Sequence, residues 1–360
     1  MEKNEILITY GEDITAMAVR LAQEANLAEL IGDKNKKIGL KPNLVNAKPA
    51  SMGSTTHPEI AEGLITYLKQ NGFNNIVILE GSCLGASTVD TFSACGYKKL
   101  AAKTGVRLID TKTDKSRVCD CKGMKIEICE SALALDFMIN LPVMKGHCQT
   151  KITCALKNNK GVIPDREKRR FHTIGLDKPI AHLNAVVRND FIVVDGICGD
   201  MDFEEGGNPL YYGRMLAARD PVLCDTWAAV QMGLNPGEIP YIGIAEKLGI
   251  GSANLSAAKI RELNKAQKNA PVQTGKVRQY APYIDENNSC SACYASLINA
   301  LFRLEQNKLS RLKNKISVGQ GFKGRKGEIG IGQCCSGFKQ SCRGCPPSGS
   351  DILELLAASY

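Results

Sequence analysis

Six of the fifteen cysteines in this chain lie in its last fifth, with a spacing that is typical of a metal centre. They form two C-x-x-C pairs around two adjacent cysteines: Cys290, Cys293, Cys334, Cys335, Cys342 and Cys345. Two thiolates separated by two residues can bind one metal centre, and a distant second group completes a four-sulfur site. Cys345 is followed directly by proline, as in the Cys-Pro that ends ferredoxin-type binding segments. The pattern predicts a [4Fe-4S] cluster.

The residues alone leave alternatives to that cluster. C-x-x-C pairs at long separation also suit structural zinc bound by four cysteines, and disulfides are a third interpretation. We expect Cys290, Cys293 and Cys345 to be ligands. Three cysteines compete for the fourth position: Cys334, Cys335 and Cys342. A double cluster or a non-cubane site on the adjacent pair also stays open.

Polar residues follow four predicted strands, at the end of the sheet where open α/β folds bind ligands. Those with donor or acceptor side chains are Lys41, Asn43, Glu80, Ser82, Lys145, His147 and Asp195. Beyond them, Thr150, Lys157 and Asn158 lie on a loop and the following turn. Their donors could converge on a carboxylate or phosphate, which predicts a small anionic substrate. A solvated basic loop is the alternative interpretation.

These residues divide into two predicted roles. Histidine and lysine can exchange protons or stabilise negative charge, so the predicted catalytic residues are Lys145, His147 and Lys157. The predicted substrate-binding residues are Lys41, Asn43, Ser82, Thr150, Asn158 and Asp195. A second metal site on His147, His172 and His182 is an alternative, although their spacing matches no standard motif.

Composition bounds the class of protein. The 360 residues are 44% hydrophobic and 23% charged, as in ordinary globular proteins. No apolar run approaches the roughly 18 residues of a membrane span, and the polar start, Met1 to Glu5, does not resemble a signal peptide. We therefore expect a cytoplasmic protein. There, fifteen cysteines favour reduced thiols and metal ligation over disulfides.

The positive charge is concentrated near the cysteines. From Lys259 to Lys326 there are fourteen Lys and Arg against four Asp and Glu, which is a net charge of +10. The whole chain carries +9, so the rest of the chain is close to neutral. This segment could offset the charge of a thiolate-bound cluster, dock an acidic electron donor, or bind nucleic acid. Aromatic residues are not interleaved with these basic residues and no known module is present, so nucleic acid is not expected.

The order of elements predicts an α/β fold. Strands and helices alternate from residue 5 onward, which predicts a mainly parallel sheet with flanking helices. A Gly-rich acidic loop is expected from Gly199 to Gly213. The predicted domains are an α/β substrate-binding domain at 1–250, a basic linker at 251–289 and a small α+β iron-sulfur domain at 290–360. Helices are predicted at 256–268 and 294–312, and a hairpin at 315–331.

Several motifs together resemble the domain of unknown function 362 family, whose members are often described as uncharacterised iron-sulfur centre proteins. They are Lys41 to Val45, Gly81-Ser82, Leu141 to His147, Ala155 to Gly161, Val194 to Ile197 and Asp220 to Val222. The resemblance implies one [4Fe-4S] cluster with Cys290, Cys293, Cys334 and Cys345 as ligands. It leaves Cys335 and Cys342 outside the ligand set.

These observations predict a cluster-dependent redox enzyme, an oxygen-sensitive reductase that takes electrons from a ferredoxin-like donor. Two alternatives belong to other classes. The cluster could act as a Lewis acid in a dehydratase or isomerase, with three protein ligands and an open iron. Alternatively, the protein could be a non-enzymatic electron carrier or a cluster-handling partner.

Overall fold

The computed structural model describes residues 1–207, 209–265, 277–304, 309, 312 and 314–358. Its strands are β1 Glu5–Tyr10, β2 Ile38–Pro42, β3 Ile76–Glu80, β4 Arg107–Asp110, β5 Ser116–Asp120, β6 Lys125–Cys129, β7 Phe137–Leu141, β8 Lys145–His147, β9 Lys151–Thr153, β10 Phe191–Asp200, β11 Pro209–Ala218, β12 Lys259–Glu262, β13 Ile284–Glu286, β14 Ile316–Val318, β15 Ile329–Ile331 and β16 Gln340–Cys342.

The α-helices flank these strands, and short 3-10 turns join several of them. The helices are α1 Ile14–Glu24, α2 Leu27–Ile31, α3 Pro58–Gln70, α4 Thr88–Ala94, α5 Tyr97–Thr104, α6 Glu130–Leu133, α7 Ala155–Asn158, α8 Asp165–Ile174, α9 Asp177–Leu183, α10 Pro221–Gln231, α11 Pro240–Lys247, α12 Val277–Tyr280, α13 Ser291–Arg303 and α14 Gly349–Ala358. Among the residues described, no helix combines the length and apolar character that crossing a membrane requires.

The main sheet has eight strands in the order β12-β1-β11-β10-β7-β2-β3-β4. β11 is antiparallel to both of its neighbours, and every other pair is parallel. The predicted α/β fold with a mainly parallel sheet is therefore confirmed. Because β2, β3, β7 and β10 run in one direction, their carboxyl ends meet at the same edge of the sheet.

Both faces of this sheet are buried. Along β3, Val77 and Leu79 pack into one apolar core while Ile76 and Ile78 pack into another. Alternating side chains point to opposite faces of a strand, so a strand with every residue buried needs a layer of helices on each side. Burial on both faces explains why the strand segments of the sequence are almost continuously apolar.

Local signals explain several helix boundaries. Asp220 caps α10, where its carboxylate accepts hydrogen bonds from the backbone N–H groups of Val222 and Leu223 before Pro221 starts the helix. Gly96, with φ of 80°, separates α4 from α5. That left-handed conformation suits glycine and ends α4 before α5 begins.

The region after residue 250 corrects two predictions. The helix predicted at 256–268 is wrong for its described part, because Lys259–Glu262 forms β12 and pairs in parallel with the edge strand β1; residues 266–268 lie outside the described residues. The predicted hairpin is also wrong. β14 and β15 pair in parallel, and β13 to β16 form a second, all-parallel sheet.

Helices α13 and α14 pack on this small sheet around one apolar core, which includes Leu297, Leu301, Ile316 and Ile352. Helix α13 begins at Ser291, one residue after Cys290, and ends at Arg303. The predicted helix to residue 312 therefore ends early, and most of its last turns lie outside the described residues. The cysteine-rich region thus has its own core beside the main sheet.

Candidate functional site

A pocket opens at the carboxyl ends of β2 and β3. Its walls combine the α/β fold with one of the clustered cysteines. The residues that line it are Asn43, Leu44, Val45, Glu80, Gly81, Cys83, Leu84, Lys157, Asn158, Lys160, Gly161, Lys168, His172, Glu204, Glu205 and Cys290. Four residues with a predicted catalytic, substrate-binding or cluster-ligand role are among them: Asn43, Lys157, Asn158 and Cys290.

A buried ion pair forms the floor of the pocket. The Nζ atom of Lys41, which is fully buried, lies 2.7 Å from Oε2 of Glu80 and donates further hydrogen bonds to the Pro42 carbonyl and to Oδ1 of Asn158. Burial lowers the pKa of Lys41, and the Glu80 carboxylate opposes that shift. Lys41 therefore supports the lining residues Glu80 and Asn158 from behind.

A second buried network is centred on Glu204. Its Oε1 accepts from Nζ of Lys157, and its Oε2 lies 2.9 Å from Nε2 of His147. Nδ1 of His147 accepts from the backbone N–H groups of Gln149 and Thr150, at 3.1 and 3.0 Å, so Nε2 carries the hydrogen that is donated to Glu204. Burial lowers the pKa of His147 to about 4. The imidazole is thus neutral near pH 7 and orients Glu204.

Lys145 is also buried behind the pocket lining. Its Nζ atom donates to Oδ1 of Asn43 at 3.1 Å and to the carbonyl oxygens of Ser54 and Glu204. Burial lowers the pKa of Lys145 to about 8, and the Glu204 charge opposes the shift. Lys145 therefore joins the two networks through Asn43 and the backbone of the Glu204 loop.

Two lining residues have pKa values close to neutral pH. Burial and the adjacent Glu204 charge raise the pKa of Glu205 to about 7. Burial and the charge of Lys157 lower the pKa of Lys160 to about 7, and its Nζ lies 3.3 Å from Nε2 of His172. Among the described residues, Glu205 has no side-chain ion pair, although the other lining glutamates are both paired with lysines. Glu205 and Lys160 can exchange protons near pH 7.

Besides Lys41, three predicted substrate-binding residues lie outside the pocket lining. Asp195 is fully buried, and its carboxylate accepts from the backbone N–H and from Nδ1 of His57, each at 2.8 Å. The Thr150 hydroxyl donates to the Ile152 carbonyl. Ser82 is buried, and its carbonyl accepts from Nζ of Lys168 at 2.9 Å. Asp195 and Thr150 thus make internal contacts through their side chains, and Ser82 makes its contact through its backbone carbonyl.

The four cysteines of the predicted ligand set lie within electrostatic reach of one another. Burial raises the pKa of Cys293, and the neighbouring thiols of Cys290, Cys345 and Cys334 raise it further. Two backbone hydrogen bonds, from Gly332 to the Cys342 carbonyl and from Gln333 to the Gly344 carbonyl, join the loops that carry Cys334 and Cys345. These loops therefore bring distant cysteines to one place.

The spacing of these sulfur atoms bears on the kind of metal. Among the described residues, no three of the four sulfurs lie within 4.8 Å of one another. Tetrahedral zinc, with Zn–S bonds of about 2.3 Å, would hold its sulfur ligands roughly 3.8 Å apart. A cubane places four irons and four sulfides between its ligands and needs a wider cage. In the described part of the chain the four sulfurs are therefore not spaced as ligands of one tetrahedral zinc ion, and the [4Fe-4S] cluster stays a prediction.

Gly332 provides room inside this group of cysteines. It has φ of 89°, and a Cβ atom at this position would lie 3.3 Å from Sγ of Cys293. Cys335, by contrast, is buried between Phe322 and Phe338, and its Sγ donates to the Ser317 carbonyl. Cys342 lies in the apolar core of the C-terminal region. Both positions are consistent with residues outside a ligand set.

The other candidate metal ligands have internal partners. Nδ1 of His182 lies 2.8 Å from the Cys121 carbonyl, and His147 and His172 contact Glu204 and Lys160 as described. A buried group of Cys154, Cys224 and Asp225 has its ligand atoms within 4.8 Å of one another. Asp225, however, accepts from two backbone N–H groups at the start of α7 and from the Tyr241 hydroxyl. This carboxylate caps α7.

Sequence reasoning missed the acids of the pocket. The loop after β10 was expected to be acidic, but nothing marked Glu204 and Glu205 as buried. The available signal was a pair of adjacent acids that follows Phe203 and precedes the glycines at 206 and 207. Lys160 and Lys168 were not among the predicted site residues, and His172 was considered only as a ligand of a second metal. Their convergence depends on the packing of α8 against the sheet edge.

Comparisons with known proteins place the chain among relatives. A family model described as "Domain of unknown function (DUF362)" matches residues 38–230. The thylakoid-associated protein sll1697 of Synechocystis sp. is 23% identical over 238 residues, which is 62% of this chain and 70% of that protein. The lactate racemase apoprotein from Thermoanaerobacterium thermosaccharolyticum aligns over 68% of this chain at 13% identity and a TM-score of 0.35. The chain spans 57% of that racemase.

Proposed function

Because the chain belongs to the domain of unknown function 362 family, whose description specifies no reaction, we propose a function from its own residues. The protein is an iron-sulfur-dependent redox enzyme that reduces a small anionic substrate. One observation carries this proposal: Cys290, a predicted cluster ligand, lines the same pocket as Lys157, Lys160 and Glu205. An electron carrier without a substrate has no need of such a pocket.

The cluster ligands in this proposal are Cys290, Cys293, Cys334 and Cys345. Bound there, a [4Fe-4S] cluster would supply electrons one at a time at the wall of the pocket. The protein contributes a preorganised polar cavity. Cations bind and orient an anion more strongly where water is scarce, because the local dielectric constant is lower.

The charges of the pocket support an anionic substrate. The Lys41–Glu80 and Lys157–Glu204 pairs are each close to neutral overall. Beyond these pairs, Lys168 and Lys112 share the single carboxylate of Asp165, which leaves a net positive charge beside the pocket. A substrate carboxylate or phosphate would bind beside Lys160 and Lys168.

A reduction also consumes protons, and the pocket offers two sources. Glu205 with a pKa of about 7 holds a proton on its carboxyl group in about half of the molecules at neutral pH. Lys160, with a similar pKa, holds one on Nζ. Adding two electrons and two protons across a carbonyl or an activated double bond leaves Glu205 ionised and Lys160 neutral until both take up protons from water.

The first experiment measures the metal. The protein is purified without oxygen, assayed for iron, zinc and acid-labile sulfide, and examined by EPR before and after dithionite. About four irons and four sulfides per chain, with a signal that appears on reduction, would support the proposal. About one zinc without sulfide would refute it.

Adjacent cysteines provide a matched pair of variants. Cys334→Ala removes a proposed ligand, whereas Cys335→Ala removes a thiol that is buried between two phenylalanines. We expect the first variant to lose most of the iron and the reducible EPR signal, and the second to keep both. Equal iron in the two variants would exclude Cys334 from the ligand set.

A further inference from the structure

The cysteine group has two differently exposed sides. Cys290 faces the substrate pocket, whereas Cys345 is exposed to solvent. The Cys345 carbonyl also lies close to Gly85, so this loop contacts the sheet edge beside the pocket. Electrons that leave at the Cys290 side therefore have a natural point of entry at the Cys345 side.

The exposed side carries a cluster of cations, which we call the basic surface. Its members are exposed lysines and arginines on α8, in residues 323–326 and on the loop that carries Cys345: Arg169, Lys323, Arg325, Lys326 and Arg343. Gln320, three residues before Lys323, donates to Sγ of Cys290 at 4.0 Å, and Thr173, one helical turn after Arg169, donates to Oε1 of Gln320 at 3.5 Å. Arg343 lies two residues before Cys345.

Within the described part of the chain, none of the five cations of the basic surface has an ion-pair partner. Exposed cations elsewhere commonly have one: Lys259 pairs with Glu2, and Arg166 with Glu127. In the C-terminal region itself, the nearby Glu328 is already paired with Lys339. The basic surface is therefore available to carboxylates of another molecule.

We propose that the basic surface docks an acidic one-electron carrier protein, such as a [2Fe-2S] ferredoxin, next to Cys345; this inference rests on the proposed redox function. Each encounter transfers one electron from the reduced carrier, which leaves oxidised, so one two-electron reduction needs two encounters. Opposite charges steer such encounters and raise the association rate at low ionic strength. A transient complex of this kind needs only a small interface.

Nucleic acid is the other class of polyanion that a basic surface could bind. Proteins that bind single strands place aromatic rings between their cations, where bases stack. In this region Phe322 and Phe338 are both buried and pack edge to face with ring centroids 5.8 Å apart. Among the described residues of the basic surface there is no exposed aromatic ring, which favours a protein partner.

The test uses the cluster-loaded protein and a plant-type [2Fe-2S] ferredoxin as the probe. The docking variant is Lys323→Glu, Arg325→Glu and Arg343→Glu. The control variant is Lys34→Glu, Lys69→Glu and Arg107→Glu, three exposed cations near the amino ends of β2, β3 and β4, at the opposite edge of the sheet. Both variants change the net charge equally.

Two readouts are compared at low and high salt: binding of oxidised ferredoxin, and the stopped-flow rate at which reduced ferredoxin reduces the cluster. We expect the docking variant to lose at least about tenfold in both at low salt, the control to lose much less, and high salt to reduce the difference. Reduction by dithionite should be equally complete in all three proteins. A docking variant that responds like the control would overturn the inference.

Two further results separate possible failures. Tighter binding of an oligonucleotide than of ferredoxin, abolished in the docking variant, would replace the carrier by nucleic acid and overturn the inference. A protein without iron would instead refute the proposed function. If the charge reversals prevent folding, the same three positions changed to glutamine provide a milder variant, and its loss of ferredoxin binding must still exceed that of the matching glutamine control.

Discussion

Adjacent glutamates in the pocket have opposite ionisation properties. The pKa of Glu204 is well below its usual value, because the effects of His147 and Lys157 outweigh the effect of burial. Glu205 has no such partner among the described residues, so burial and the Glu204 charge raise its pKa to about 7. Two neighbouring acids whose environments separate their pKa values are typical of sites that transfer protons.

Changing Glu205 to glutamine should alter how stability depends on pH. The folded state binds a proton on Glu205 up to about pH 7, whereas the unfolded state releases it near 4.5. Between these values the folded state binds more protons, so its stability falls as pH rises. The shift corresponds to at most about 3 kcal/mol. Urea unfolding from pH 4.5 to 8 should show a shallower decline in Glu205→Gln than in the unchanged protein.

The surface variant Glu12→Gln serves as a control, since it removes one exposed carboxylate away from the pocket. It should leave the pH dependence of unfolding unchanged. NMR of the protein with 13C-labelled glutamate carboxyl groups gives an independent check, because one resonance should titrate near pH 7 and disappear in Glu205→Gln. If that resonance persists in the variant, another glutamate is responsible.

At this scale the sequence identifies residue types but not their depth. Lys157, Asn158 and Cys290 were predicted from spacing, and all three line the pocket. Lys41 and His147 were selected by the same reasoning, but their nitrogen atoms contact the lining residues Glu80 and Glu204 from behind the pocket. Whether a strand-end lysine reaches the cavity depends on which acid lies next to it. Here that acid comes from a distant element.

Among the elements, the turn after α7 determines how closely the chain approaches the buried ion pair. Gly161 packs directly on it: a Cβ atom there would lie 1.8 Å from Oε1 of Glu80 and 2.5 Å from Nζ of Lys41. Its carbonyl also accepts a hydrogen bond from the Thr111 hydroxyl. Only glycine allows this turn to cover Lys41 and Glu80 without displacing them.

Gly161→Ala should therefore destabilise the protein strongly. The methyl group would separate Lys41 from Glu80 or push the turn outward, leaving buried charge without its partner, at a cost of about 3 kcal/mol or more. Gly243→Ala is the matched control, because a Cβ atom on this exposed residue of α11 would meet no atom within 4 Å. Alanine should stabilise that helix by roughly 0.5–1 kcal/mol. Denaturant midpoints that move equally in both variants would contradict this account.

The elements themselves were only partly predictable. Apolar strands such as Ile76–Glu80 and the proline-started helix α3 follow from local patterns, and the structure confirms them. β12 was missed because Lys259–Glu262 is exposed and charged, so only pairing with β1 makes it a strand. β14 and β15 are each three residues long, and such short apolar segments do not reveal whether their partner runs parallel or antiparallel.

At the scale of the whole molecule, the C-terminal region and the α/β fold both line the pocket. They also meet in a polar contact and in an apolar contact. Nε2 of Gln149, on the loop after β8, donates to the Ser289 carbonyl at 2.6 Å. Phe203, from the loop after β10, packs into the core of the C-terminal region beside Tyr294. The loop that supplies Glu204 and Glu205 therefore also anchors the cysteine-rich region.

The last prediction concerns this coupling. A metal centre whose ligands come from separate loops stabilises the folded arrangement of those loops, and the C-terminal core is small compared with the two cores of the main sheet. Removing iron with a chelator should therefore speed hydrogen exchange in residues 284–304 and 314–358 and at Phe203, while β3 stays protected. Mass spectrometry of peptides from both forms measures this. Equal protection with and without iron would mean that the cysteine loops hold their arrangement without a metal centre.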